Sequence, residues 1–199
     1  MKDADFITST PTIEADHSEV KSFASLHAGE CASEIERAVR LFYAVRDSVR
    51  YDPYRIDLTT DGMKASTTLS TSRGWCVSKA ILLAACCRTL GIHARLGFAD
   101  VRNHLSTERL RQRMRTDIFY WHGYTEILLA EKWVKATPAF NIELCEKFGL
   151  LPLEFDGLND SLYHPFDIEG NRHMEYVNQR GFYADLPLEE IITTFEAEG

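Results

Sequence analysis

One cysteine and one histidine occupy positions from which they could act as a nucleophile and a general base. Cys76 follows a glycine turn and begins a run of good helix formers that continues from Val77 to Leu90 and stops at Gly91. The unpaired N–H groups at the start of a helix favour an anion, which predicts a thiol pKa of about 3.5 to 7.5 and a place for an oxyanion. His122 lies in a β-like stretch rich in aromatic residues. Together the two residues predict attack of a thiolate on a carbonyl carbon.

Each candidate also has a purely structural interpretation. A cysteine in a helix is usually a small core residue, and this is what we expect for Cys86 and Cys87 in mid-helix. His104 is an alternative base, although its surroundings favour a loop or capping role. Trp75 and Trp121 flank the two candidates and could form walls of a cleft, with core packing as an equal alternative.

Local patterns predict the elements that must position these side chains. The predicted helices cover residues 32–49, 76–90, 107–114 (short and charged), 141–147 (capped by Asn141) and 188–196. The predicted strands cover residues 92–101, 119–129 and 132–137, the last two joined by a turn. Residues 59–72 are expected to be a loop and residues 1–26 an extended arm, whereas the turn-rich residues 151–185 have no readable topology.

Composition limits the classes of partner. The chain has 199 residues, 45% of them hydrophobic, which predicts a single domain with a core of about residues 32–141 and a C-terminal extension, residues 142–199, packed on it. A net charge of −8 with scattered lysines and arginines argues against nucleic acid and anionic membranes as partners. The longest apolar run, residues 80–87, is too short to span a membrane.

Cysteine usage and motifs indicate the compartment and the cofactors. Five cysteines, an odd number with two adjacent in a helix, are typical of free thiols in a reducing compartment, and the first residues lack a signal-peptide pattern. We therefore expect a cytoplasmic protein. The sequence has no Cys-x-x-Cys, no His-Glu-x-x-His, no Gly-x-Gly-x-x-Gly and no phosphate loop, so no metal and no cofactor are predicted.

Three segments of the chain carry a resemblance to a known family. The segment Arg73-Gly-Trp-Cys-Val-Ser-Lys, with its apolar helix and the following Arg-Thr-Leu-Gly-Ile-His-Ala-Arg, resembles the nucleophile segment of the transglutaminase-like superfamily. His122 with Glu126 and the following Lys-Trp-Val resembles the histidine segment, and residues 45–52 resemble the helix and Tyr-Asp before the core. The resemblance covers about residues 45–141. It implies an α+β, papain-like fold whose nucleophile lies at a helix N-terminus packed on an antiparallel sheet.

One position departs from the family pattern. The superfamily usually places an aspartate before a proline in the strand after the histidine, and this chain has Thr137 there. A carboxylate would fix the imidazole tautomer and stabilise the imidazolium, whereas a threonine offers only a neutral oxygen. Either Thr137 or Asn141 could orient His122 instead.

Two functions follow from the resemblance. The first is a cysteine protease, amidase or acyltransferase that acts on a peptide or amide through a thioester on Cys76. The second is a non-catalytic binding or scaffold module that keeps a degenerate cleft. Neither the acceptor, water or an amine, nor the oligomeric state is fixed by the sequence.

Overall fold

The computed structural model describes residues 3–30, 33–104, 108, 112, 116–163, 167–171 and 173–198, which form a mixed helical and antiparallel β architecture. After a 3₁₀ turn at Asp3–Phe6, the helices are α1 (Ser18–Ala28), α2 (Glu34–Ser48), α3 (Ala65–Thr71), α4 (Cys76–Thr89), α5 (Ile142–Phe148) and α6 (Leu188–Glu198). The strands are β1 (Arg50–Tyr51), β2 (Arg73–Gly74), β3 (Ala94–Asn103), β4 (Ile118–Leu129), β5 (Lys132–Ala136) and β6 (Met174–Tyr183). The α+β class predicted from the sequence is confirmed.

Helix α4 is the centre of the molecule. It packs against β4 and β3 on one side and against α1, α2 and α3 on the other, and every residue from Cys76 to Arg88 is buried. This explains why its sequence is apolar on all sides instead of along one stripe. The sheet has the order β5-β4-β3-β6 with antiparallel neighbours, while β1 and β2 form a separate parallel ribbon.

Several predicted elements are confirmed and others are wrong. The helices at α2, α4, α5 and α6 and the strands β3, β4 and β5 lie where local patterns place them. The prediction of an extended arm at residues 1–26 is wrong, because α1 forms there and buries Val20, Ala24 and Ala28. The loop at residues 59–72 is also wrong, since it contains α3. The predicted helix at residues 107–114 lies outside the described residues except for Glu108 and Gln112.

A buried lysine joins α4 to the end of α2. Lys79 has no exposed surface, and its Nζ donates to the carbonyl oxygens of Arg46 (2.8 Å) and Val49 (2.5 Å). Burial lowers the pKa of Lys79 to about 7. These hydrogen bonds hold the start of β1 close to the first two turns of α4, where Cys76 lies.

A buried arginine joins α4 to the N-terminal segment and to the residue that follows β6. The Arg88 guanidinium donates to the carbonyl oxygens of Ala94 (2.9 Å), Thr8 (2.8 Å) and Ala184 (2.7 Å). The side chain of Thr12 also hydrogen-bonds to Asp185. The first residues and the end of β6 are thus anchored to the core by polar contacts. In the part of the chain that the structure describes, no helix is long and apolar enough to cross a membrane.

We predict that Arg88→Met lowers the free energy of unfolding by about 3 kcal/mol, because the Ala94 carbonyl group, which is buried, and two partly buried carbonyl groups lose a charged donor. Urea unfolding followed by circular dichroism measures this change. The control is Arg40→Met, since Arg40 is half exposed and its 2.9 Å pair with Glu36 lies on the surface, where a change of at most about 0.5 kcal/mol is expected. Equal effects of the two substitutions would contradict the anchoring role of Arg88.

Candidate active site

The candidate nucleophile is the first residue of the central helix. Trp75 precedes it in extended conformation as the N-cap of α4, and the Trp75 N–H donates to Ser78 Oγ (3.1 Å). Cys76 is 3% exposed and forms no disulfide. The helix N-terminus predicted from the glycine turn is therefore present, and it places the thiol beneath the surface.

Burial determines the protonation state of the thiol. It raises the pKa of Cys76 to about 11, although the backbone N–H groups of Gly123, Val77 and Cys76 itself act in the opposite direction. The pKa of about 3.5 to 7.5 expected from the sequence is therefore wrong for this conformation. The physical reason is that removing a thiolate from water costs more free energy than the helix N-terminus and these N–H groups supply by stabilising it.

The contact between strand and helix at this point is unusually close. A Cβ atom on Gly123 would lie 2.9 Å from Val77 Cα, closer than such atoms can approach. Two residues further along β4, Thr125 Oγ1 donates to the Ala80 carbonyl oxygen (2.8 Å). Gly123 and Thr125 thus both face α4, and the glycine allows the first turn of the helix to lie directly on the strand. The Gly123 N–H thereby reaches the Cys76 thiol.

The candidate base lies next to this contact. His122 precedes Gly123, is 5% exposed, and burial lowers its pKa to about 4. His122 Nε2 and Thr137 Oγ1 are both buried and have no hydrogen-bond partner among the described residues. Both residues line one small cavity of about 20 Å³, together with Phe140 and His173. The structure therefore brings His122 and Thr137 together.

The direct contact between the two candidate catalytic groups remains a prediction. Among the described contacts, no hydrogen bond joins Cys76 to His122, and the shared neighbour is the Gly123 amide. With a thiol pKa of about 11 and an imidazole pKa of about 4, both groups are neutral at pH 7. The resting pair is thus a thiol and an imidazole, and not a thiolate and an imidazolium.

A β-bulge determines the direction of the histidine. Ala99 pairs with His122, but Val101 pairs with Phe119, so β4 has one extra residue opposite Asp100. Trp121 occupies this bulge with φ of 56°, a left-handed conformation that is rare for a tryptophan. Its backbone N–H donates to Asp100 Oδ1 (3.1 Å).

The carboxylate at the bulge is itself held in place. The Nε–H of Arg180 donates to Asp100 Oδ1 at 2.6 Å, and Asp100 is 4% exposed. The guanidinium of Arg180 also lies over the Trp121 ring, 4.6 Å from its centroid. Strand β6 thus fixes the backbone conformation that precedes His122.

The second candidate orienter has a different partner. Asn141 Oδ1 accepts a hydrogen bond from the Tyr51 N–H (3.1 Å) in β1, and Asn141 is 4% exposed. The Tyr51 ring meets the Phe140 ring edge to face with centroids 4.8 Å apart. Burial and the negative charge of the Cys76 thiolate both raise the pKa of Tyr51. Asn141 therefore holds the strand beside the thiol, whereas Thr137 is the residue that shares a cavity with His122.

The two tryptophans have different environments. Trp75 lines a groove of about 210 Å³ on the α3 side of the thiol, and its indole Nε1 is buried with no hydrogen-bond partner among the described residues. Trp121 is 2% exposed, and its Nε1 donates to Thr194 Oγ1 (2.8 Å) in α6. Trp75 thus fits the cleft interpretation and Trp121 the packing interpretation.

Sequence reasoning missed four residues that shape this site. Gly123 had a readable signal, since a glycine inside a strand often marks a close approach of another backbone. Tyr51 belongs to the Tyr-Asp pair of the family resemblance. Asp100 and His173 carry no local signal, because their roles depend on pairing with β6 and on the Phe140 ring, which stacks on His173 with centroids 6.2 Å apart. Within the described residues, no group of histidine, cysteine and carboxylate side chains could hold a metal ion.

Comparisons with known proteins indicate the family and the fold of the chain. The family model described as "Transglutaminase-like superfamily" matches residues 21–138. A structure from Cytophaga hutchinsonii, named "Putative Cysteine Protease", aligns with a TM-score of 0.53 at 15% identity, over 90% of this chain and 53% of that one. The chain therefore spans about half the length of that protein, and this likeness concerns the fold alone.

A second structure is more distant. The "Putative Protease" from Parabacteroides distasonis has a TM-score of 0.43 at 18% identity, over 60% of this chain and 23% of that one, which is too low to support an argument. No curated protein sequence matches the chain significantly.

We predict that Gly123→Ala destabilises the protein by about 1 to 3 kcal/mol, because the added methyl group would overlap the backbone of Val77. Thermal and urea unfolding measure the change. Val77→Ala removes the Cγ2 atom 3.0 Å from that methyl group but leaves Val77 Cα at 2.9 Å. The double variant should therefore recover only part of the lost stability. A neutral effect of Gly123→Ala would mean that α4 and β4 can separate without cost.

The lowered pKa of His122 predicts a loss of stability in acid. Between pH 6.5 and about 4, the unfolded chain binds a proton that buried His122 does not, so the free energy of unfolding falls as the pH falls, by up to about 3 kcal/mol. His122→Gln should remove this part of the pH dependence, as measured by urea unfolding at pH 7, 6, 5 and 4. If His122 instead paired with a thiolate, its pKa would be raised. His122→Gln would then not reduce the loss of stability between pH 6.5 and 4.

Proposed function

The chain belongs to the transglutaminase-like superfamily, and from this premise we propose that it is a thiol enzyme that cleaves or transfers the acyl group of a peptide or amide. The observation that carries the proposal is the position of Cys76. Its sulfur lies at the first residue of a buried helix, beside the Gly123 amide, and the preceding residue of that strand is a histidine. A nucleophile, a base and backbone N–H donors are the parts that acyl transfer needs.

The proposed reaction begins from the neutral pair. His122 removes the thiol proton while Cys76 Sγ forms a bond to the carbonyl carbon, and the carbonyl oxygen becomes an oxyanion. The N–H groups at the start of α4 stabilise that oxyanion. The carbon–nitrogen bond then breaks, the amine leaves with the proton from His122, and a thioester remains on Cys76.

The second half of the reaction sets the outcome. Water that attacks the thioester gives a carboxylic acid, whereas an amine gives a new amide. In both cases His122 takes a proton from the attacking group, and the thiol is restored when the carbon–sulfur bond breaks. Hydrolysis corresponds to a cysteine protease or amidase, and aminolysis to an acyltransferase.

Thr137 sets how strongly the base can act. A neutral hydroxyl cannot stabilise an imidazolium as a carboxylate does, so Thr137 does not offset the burial that lowers the pKa of His122 to about 4. The same observations support the alternative, a non-catalytic module. The thiol is only 3% exposed and its pKa is about 11, both of which reduce reactivity.

Alkylation of Cys76 in a Thr137→Asp variant separates the two functions. A carboxylate beside His122 Nε2 should raise the pKa of the imidazole. The imidazolium that then forms should lower the pKa of the thiol, because its positive charge stabilises the thiolate. Each unit by which the thiol pKa falls increases the thiolate fraction at pH 7 about tenfold. We therefore expect iodoacetamide at pH 7 to label Cys76 faster by about tenfold or more, measured by mass spectrometry of the native protein.

Matched variants control this experiment. Thr137→Asn has similar size without charge and should leave the rate near that of the unchanged protein. Adding His122→Ala to Thr137→Asp should abolish the gain. Cys86 and Cys87, which are fully buried and have raised pKa values, serve as unreactive internal references, while Cys31 lies outside the described residues. If Thr137→Asp and Thr137→Asn react alike, the thiol is not coupled to His122, and the non-catalytic module is the better conclusion.

A further inference from the structure

A large open cleft adjoins the small cavity that His122 and Thr137 line. Its volume is about 690 Å³, within the range of pockets that bind drug-sized molecules. The β1–β2 ribbon forms one wall and α5 the other, with Tyr51 and Phe140 at its inner side. Phe140 and His173 line both this cleft and the small cavity of His122 and Thr137. A ligand in this cleft would therefore lie next to the proposed reaction centre.

The charge of this cleft is opposite to that of the whole chain. The protein carries a net charge of −8. Among the residues that the structure describes, however, the cleft is lined by four cations and two carboxylates: Arg50, Arg55, Arg73, Lys147, Asp52 and Glu143. In the smaller groove beside Trp75, the described cations and carboxylates are equal in number, so the positive excess belongs to the larger cleft.

Two of the arginines are placed against each other. Arg50 and Arg73 are direct partners in the parallel pairing of β1 and β2, and both line the cleft. Like charges at paired strand positions repel. Arg73 has a carboxylate, Asp52, at 3.9 Å, but Asp52 is also 3.9 Å from Arg55. In the part of the chain that the structure describes, Arg50 has no carboxylate within ion-pair distance.

We propose that this cleft recognises a carboxylate, so that the substrate is an acidic peptide. Arg50 and Arg73 would share the carboxylate, since planar guanidinium groups match the two oxygens of that anion and an anion between them would relieve their repulsion. Arg73 is three residues before Cys76 in the sequence, so the carboxylate would bind to the segment that leads directly into the candidate nucleophile. The inference rests on the proposed function and adds to it the class of substrate.

Peptide binding to the Cys76→Ala protein tests this inference without turnover. The probe is N-acetyl-Gly-Glu-Gly-Glu-Gly-amide with a neutral fluorophore, followed by fluorescence anisotropy at low salt, and the same peptide with glutamine or lysine in place of glutamate is the comparison. We expect the glutamate peptide to bind most tightly. Arg50→Gln and Arg73→Gln should each weaken it by about two- to fivefold, the range for exposed charge pairs, with little effect on the glutamine peptide.

The control is Lys21→Gln, which changes the net charge equally on α1, away from both clefts. The inference is overturned if the glutamate and glutamine peptides bind alike, or if Lys21→Gln weakens binding as much as the arginine substitutions. Failure of the proposed enzyme function has a different signature, since Cys76 would then not respond to Thr137→Asp while the glutamate peptide would still bind. Thermal unfolding of each variant verifies that the fold is intact.

Discussion

The rest of the structure depends on how closely β4 and α4 approach each other. Because residue 123 has no side chain, the first turn of α4 lies directly on the strand, and the Gly123 N–H reaches the Cys76 sulfur. Polar contacts of the helix maintain this approach: Thr125 hydrogen-bonds to it from the strand, Lys79 connects it to α2, and Arg88 connects it to the N-terminal segment and to the residue after β6. The site is thus a consequence of packing at the centre of the core.

The same packing restrains the chemistry. A thiol and an imidazole withdrawn from water are both driven to their neutral forms, and no carboxylate of the described residues shares the cavity with His122 and Thr137 to reverse this. The charged side chains lie instead on the β1–β2 ribbon, where Arg50 and Arg73 are paired. The candidate thiol and imidazole therefore lie buried near the contact between α4 and β4, whereas the cations lie at the surface.

Helices and strands whose own residues carry a clear pattern could be predicted from the sequence. Helix α4 and the β4–β5 hairpin are confirmed because their residues carry the period and the breakers of each element, and the family resemblance is confirmed by the family match. The arm at residues 1–26 and strand β6 were not predictable locally, because α1 is stabilised by packing on α4 and β6 by pairing with β3 about eighty residues earlier. The prediction of a low thiol pKa is wrong for a related reason, since burial is a property of the fold and not of the motif.

The β-bulge before His122 has a consequence for how this segment could change in evolution. Paired residues share a face of a sheet, so Phe119 and His122, paired with Val101 and Ala99, face the same side although they are three residues apart. In a regular strand they would face opposite sides. Loss of one of the two residues between them would restore a regular ladder and leave both side chains on their present side, whereas loss of both would turn one of them through the sheet. This segment could therefore shorten by one residue without reversing His122, although the bulge that holds the Trp121 N–H against Asp100 would be lost.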